Sequence, residues 1–240
     1  MLVQALEWFK LHIGSEQIEV DERQFVRLGY EEQTPPQPKA MAFNTLAGFA
    51  DFTKLALADN PSAFVLVDSS RSVGLYGPLN PVYRTREKLG QANPITAIGG
   101  SFSYEVRLNQ EDFVTHVQAF FVDDEETDKA LLLRIAGNLR ASDVRTLEDD
   151  GISQQVATAK GVTMSEMAVM PNPVSLREYG TFPEIEQPLR KAIVRVRGGG
   201  ENEYTTIMLK LVPDPLYDSA CAARIARYLT NALPGVTVLG

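Results

Sequence analysis

The hydrophobic period changes partway along this chain, and that change restricts the fold more than any motif does. Up to about residue 139 the longer apolar patterns recur every three or four residues, as one face of a helix does. From about residue 142 they alternate, as the two faces of a strand do. Helices with a small sheet come first; a run of antiparallel strands closed by a helix follows. That order specifies an α+β fold, mainly antiparallel sheets (a meander and hairpins) packed with several amphipathic helices.

Residues 2 to 12 place Leu2, Ala5, Leu6, Phe9 and Leu11 near one face of a short helix, with Trp8 beside it. Residues 17–20 and 24–28 alternate around Asp21 and Glu22 as a small hairpin. The stretch EEQTPPQPK at 31–39 reads as a Pro-rich connector between an amino-terminal arm, 1–30, and a body, 40–240, in which two subdomains can meet near residue 140. In the body, Asn44 is placed to cap a helix to about Ala58 with Leu46, Phe49, Phe52 and Leu55 inward. Short strands at 63–67, 72–76 and 81–86 suggest a meander. Asn109 caps a second helix carrying Phe113, Val117, Phe120 and Phe121. The acidic run 123–126 opens a third through Leu131, Leu132, Ile135 and Leu139, since free N–H groups at a helix start favour negative charge. Asp150-Gly151 joins strands 144–148 and 152–157, because Gly accepts the positive φ of a tight hairpin. A strand at 166–170 and a hairpin of 189–197 with 204–212 follow, the latter turning at glycines 198–200. Asp214 or Asp218 starts the last helix, through Arg224, Tyr228 and Leu233.

The 240 residues suffice for one large domain or two small ones sharing a core. With 44% hydrophobic and 22% charged residues, most of the chain can fold. A net charge of −8 argues against broad, sequence-independent nucleic-acid binding and against an anionic membrane surface, while leaving room for a local basic patch. The lone Cys221 excludes an intrachain disulfide, fits a reducing compartment, and reads as a buried packing residue among alanines. No window reaches 18 apolar residues, and the amino terminus lacks a basic leader with a cleavage site. The expectation is a cytoplasmic protein with no membrane partner.

Residues suited to chemistry are scarce. His12 and His116 are far apart and stand in no zinc-binding arrangement, and no nucleophile elbow, P-loop or dinucleotide fingerprint occurs. The acidic runs at 123–128 and 148–150 are contiguous, so their side chains diverge; capping and a turn explain them better than a metal does. No catalytic residue, metal or cofactor is therefore expected. Two basic groupings remain as candidate ligand-binding residues. Arg71, Arg84 and Arg86, with Lys88, interleave with Tyr76 and Tyr83, which suits a phosphate-bearing ligand or a single strand. Arg195 and Arg197 alternate with Val194 and Val196, so they share a face opposite the valines and, with Lys191, can line a groove. For the first grouping, a solvated outer sheet face is the plainer reading.

Three segments carry a family likeness: GNLRASDVRTLEDDGISQQVATAKGV from Gly137, PNPVSLREYGTFPEIEQP after it, and VGLYGPLNPVYRTRE upstream. Together they resemble uncharacterised phage and prophage proteins of the YfdQ-like family, over roughly residues 40 to 235 and most specifically at 137–188. The resemblance implies a bacterial host cell and carries over no reaction and no catalytic residue. Family members often have a Trp at the start of the final helix; here Tyr217 stands ready to fill that packing role. The expected function is that of a non-catalytic phage accessory protein that self-associates, as a homo-oligomer, and binds a host or phage protein. One alternative is a counter-defence protein sequestering a small anionic, nucleotide-like signal. A nucleic-acid-associated replication or recombination accessory is a further alternative, which the acidic balance disfavours. A carboxylate–Mg²⁺ enzyme has the least support.

Overall fold

A computed structural model of the chain describes residues 17–20, 23–26, 31–33, 38–95, 101–138, 144–149, 154–158, 172–197 and 205–240. It is α+β, built around two hydrophobic cores, each between a sheet and a pair of helices. The expected helix at 2–12, the strand at 166–170 and the glycines at 198–200 lie outside the described residues.

The first core lies under a five-stranded sheet. Strand β4 (Met41–Phe43) leads into helix α1 (Leu46–Asp59), then the meander β5 (Phe64–Ser69), β6 (Ser72–Leu79) and β7 (Arg86–Ala92). Far later, helix α4 (Tyr217–Ala232) and strand β14 (Val238–Leu239) return to it, giving the order β14-β5-β6-β7-β4. The meander is antiparallel; β14 on β5 and β4 on β7 are parallel. Leu46, Phe49 and Ala50 of α1 and Ile225 and Leu229 of α4 bury against Val65, Val73 and Leu75.

Thr45, not Asn44, caps α1: its side chain accepts from Gly48 N at 3.2 Å. Leu55 is 73% exposed, contrary to its expected inward place. Leu46, Phe49, Phe52 and Leu55 step by three residues, and at about 100° per residue each step falls about 60° short of a full turn. Three steps carry Leu55 to the far side, while Thr53, seven residues after Leu46, is buried.

The second core lies under an antiparallel four-stranded sheet, β11-β12-β13-β8, made of β8 (Leu108–Asn109), β11 (Val174–Leu176), β12 (Arg190–Arg197) and β13 (Thr206–Leu211). Helices α2 (Gln110–Phe120) and α3 (Lys129–Asn138) pack Phe113, Val117, Leu132 and Ile135 against Val194, Ile207 and Leu209. Asn109 caps α2 as expected, accepting from Asp112 N at 2.8 Å. The buried Lys129 donates to the carbonyl of Phe121 at 2.6 Å, placing a cation at the end of α2, where the helix dipole favours one.

The acidic run does not open α3, which starts at Lys129. Asp124 and Glu126 instead turn to the buried guanidinium of Arg177, which Glu186 also pairs. Burial works against the charge on Arg177, but the hydrogen bond it donates to Glu186 and the charge of Asp124 outweigh it and hold its pKa above the ordinary value.

Two smaller sheets complete the description. Strands β1 (Gln17–Val20), β2 (Arg23–Val26) and β3 (Glu31–Gln33) form a meander, so part of the expected connector is a strand. Strands β9 (Val144–Asp149) and β10 (Gln154–Thr158) pair antiparallel, as expected, and meet β12, with Asp149 opposite Gln154; the expected turn at Asp150-Gly151 lies outside the described residues. Strand β7 starts at Arg86 rather than at residue 81; residues 81–85 form a loop in which the Asn80 side chain accepts from Val82 and Tyr83 N. Among the described residues, no helix is long and apolar enough to cross a membrane.

Candidate functional site

Each large sheet carries its helices on one face, so the residues suited to binding gather on the two opposite faces. Strand alternation decides which side chains those are.

On the five-stranded sheet, Val65 and Val67 point to the core, so Phe64 points away. Phe64 lies opposite Tyr76, and Tyr76 opposite Lys88, across β5, β6 and β7. Their side chains form a layer. The rings of Phe64 and Tyr76 stack at 5.8 Å, Arg86 sits 5.2 Å over Phe64, and Lys88 sits 5.5 Å over Tyr76. Gly74 makes room for it, because a Cβ there would come within 2.5 Å of the Tyr76 ring. The cations in this layer have partners: Arg86 donates to the Gly77 carbonyl, and Lys88 lies 3.8 Å from Asp68.

The first basic grouping is thus divided. Tyr76 and Arg86 join the layer, with Phe64, which charge and motif reading passed over. Arg71 stands at the β5–β6 turn, and Tyr83 and Arg84 lie in the 81–85 loop, Arg84 at φ 54. Tyr83 N and Arg84 N are both held by Asn80.

On the four-stranded sheet, Ala192, Val194 and Val196 are buried, so Lys191, Ile193, Arg195 and Arg197 face outward, as expected. Strand β13 adds Thr206, Met208 and Lys210 to the same face, since these pair with Arg197, Arg195 and Ile193. Lys191 pairs with Ser175 on the other side. The outward residues of β11, β12 and β13 therefore include four cations and no carboxylate. Lys191, Arg197 and Lys210 are exposed and make no ion pair among the described residues. Lys210 was missed in sequence because it is a lone cation on its strand; only the register with β12 brings it beside the arginines.

A third polar cluster joins the two cores. Glu178, 4% exposed, accepts from Tyr104 Oη at 2.8 Å and from Arg190 at 3.0 Å. The Arg190 guanidinium lies 4.1 Å over the ring of Tyr217 on α4, and Tyr217 is buried. Burial first, and the neighbouring Glu178 carboxylate for Tyr104, push both phenols above their ordinary range; burial likewise raises the Cys221 thiol. A Cβ at Gly180 would come within 2.5 Å of Tyr217 Oη, so the chain passes close there. These groups tie the two cores together.

His116 borders the core against Phe102 and Phe120, its Nδ1 2.6 Å from the Asp112 carbonyl. Among the described residues no three His, Cys, Asp or Glu side chains gather as a metal site requires. Where Phe113, Leu132 and Ile135 meet Val194, Val196 and Ile207, the packing leaves no room for even a water molecule.

No protein-family model matches the chain, and no curated protein or solved structure matches it.

Proposed function

We propose that this chain is a non-catalytic phage or prophage accessory protein, working in the host cytoplasm by binding an anionic partner through exposed cations of the four-stranded sheet. The phage origin rests on the resemblance of residues 40 to 235 to YfdQ-like proteins. The observation that carries the binding reading is the outer face of the four-stranded sheet, where the exposed Lys191, Arg197 and Lys210 make no ion pair among the described residues in a chain of net charge −8. Like charges on one sheet face repel, so they work against the fold unless something anionic meets them. The cation–aromatic layer on the other sheet gives weaker support, because its cations are already partnered.

Self-association belongs to the same reading. The edge strands of both large sheets are two or three residues long, which leaves little backbone free for edge pairing. Copies would therefore meet through faces, and native mass spectrometry counts them.

The binding reading is tested on a sulfonate or heparin column at neutral pH. A protein of pI about 4.9 should pass straight through on net charge alone. Retention at low salt that is lost in Lys191→Glu/Lys210→Glu supports the basic face; passage of the unaltered protein refutes it.

A further inference from the structure

We propose that loop 181–187 is a latch: carried by the second core, it plugs into the first and makes two separable cores respond as one.

The division of the buried side chains carries the inference. Among the described residues, none of 38–95 or 217–240 packs into the second core, and of 101–211 only Phe182 and Ile185 enter the first. Phe182 is fully buried there. Polar bonds surround this plug. Glu184 Oε1 accepts from Leu46 N, at the start of α1, at 2.8 Å. Thr181 Oγ1 donates to the Ser70 carbonyl at the β5–β6 turn, and Arg224 of α4 donates to the Glu186 carbonyl at 2.6 Å. The loop therefore engages three separate elements of the first core.

The loop also holds its own shape. The Gln187 side chain, buried with its residue only 4% exposed, donates to the carbonyls of Phe182 and Ile185 at 2.8 and 3.0 Å and accepts from Thr181 N at 3.3 Å. One amide thus closes the loop on itself. Arg177, just after β11, donates to the Gln187 carbonyl at 2.8 Å and ties the closed loop to the second core. A loop closed by its own bonds can leave and re-enter its slot as one piece, because its ordering cost is already met. Two apolar side chains ringed by polar bonds make a small contact, of the kind that lets two units move against each other. The Arg190–Tyr217 stack is a second tie and is polar as well.

The test follows urea unfolding of the full chain by methyl NMR, with Ile225 reporting the first core and Ile207 the second. The unaltered chain should lose both folded signals at one midpoint. Phe182→Ala removes the plug and should split them, with the Ile225 signal lost about 1–2 M urea before that of Ile207. Glu184→Gln, which keeps the plug and weakens the bond to Leu46 N, should open a smaller gap in the same order. Val65→Ala, a truncation in the first core with the latch intact, should lower both midpoints together. Loss of the Ile225 signal alone in Phe182→Ala without urea also supports the latch. Two midpoints in the unaltered chain overturn it. So does a common fall of both signals in Phe182→Ala, or a gap in Val65→Ala as wide as in Phe182→Ala.

Discussion

Replacing Glu178 by Gln should destabilise the protein far more than one lost hydrogen bond would. Glu178 Oε2 serves two donors, Tyr104 Oη at 2.8 Å and Arg190 at 3.0 Å, and is the only ion-pair partner of Arg190 among the described residues. The Arg190 side chain is only 20% exposed, and its Nε already lacks an acceptor. Glu178→Gln therefore strands a mostly buried guanidinium over the Tyr217 ring. Breaking a buried pair from one side costs about 3–5 kcal/mol, and the partial exposure of Arg190 places this case near about 3. For a chain of this size that lowers Tm by about 6–12 °C. Glu178→Gln/Arg190→Met removes the stranded charge as well and should cost less than the sum of the two single changes, a coupling of about 1.5–2 kcal/mol. Urea unfolding followed by far-ultraviolet circular dichroism measures all three, provided the m-value is constant. A cost below about 1 kcal/mol for Glu178→Gln, or simple additivity, would refute the reasoning.

Gly180→Ala should cost about 1–3 kcal/mol, since its Cβ would meet Tyr217 Oη at 2.5 Å. In a Tyr217→Phe background the next contact is at 3.5 Å, so most of that cost should vanish; a cost equal in both backgrounds contradicts the contact. Stability should fall at alkaline pH. Tyr104, Tyr217 and Cys221 have raised folded-state pKa values, so the unfolded chain loses these protons first, and stability declines as pH rises beyond about 9–10. Tyr104→Phe should flatten the decline, and a urea midpoint constant from neutral pH through that range would count against it. Leu55→Gln, on the exposed side of α1, should change stability by less than about 0.5 kcal/mol; a core-sized loss in a melt would show the residue is covered.

The α+β class was legible because a change of period needs no tertiary information: α2, the β9–β10 pairing and the β12–β13 hairpin follow from local pattern and from Asn109 as a cap. What was lost depends on distant partners. Asp124 and Glu126 look like a helix start until Arg177, some 50 residues later, claims them. The start of α1 is satisfied partly by Glu184, whose Oε1 accepts from Leu46 N at 2.8 Å across 138 residues, a bond no local signal announces. The return of α4 and β14 to the first sheet, after the whole second core has been built, is equally invisible to a reading that moves along the chain. At the binding face, alternation alone placed Arg195 and Arg197 together, because they share a strand. It missed Lys210 and scattered the Arg71–Arg86 grouping, because those relations depend on register and on a loop at 81–85.

Methyl NMR of the full chain, labelled at isoleucine and methionine, reads the binding face most directly. Ile193 and Met208 sit between the cations of the four-stranded sheet and serve as reporters. Titration with heparin at low salt should shift their methyl signals together and leave Met41 and Ile225, on the other sheet and its helix, unmoved. Shifts confined to other methyls, or none while heparin is bound, would contradict the assignment of this face.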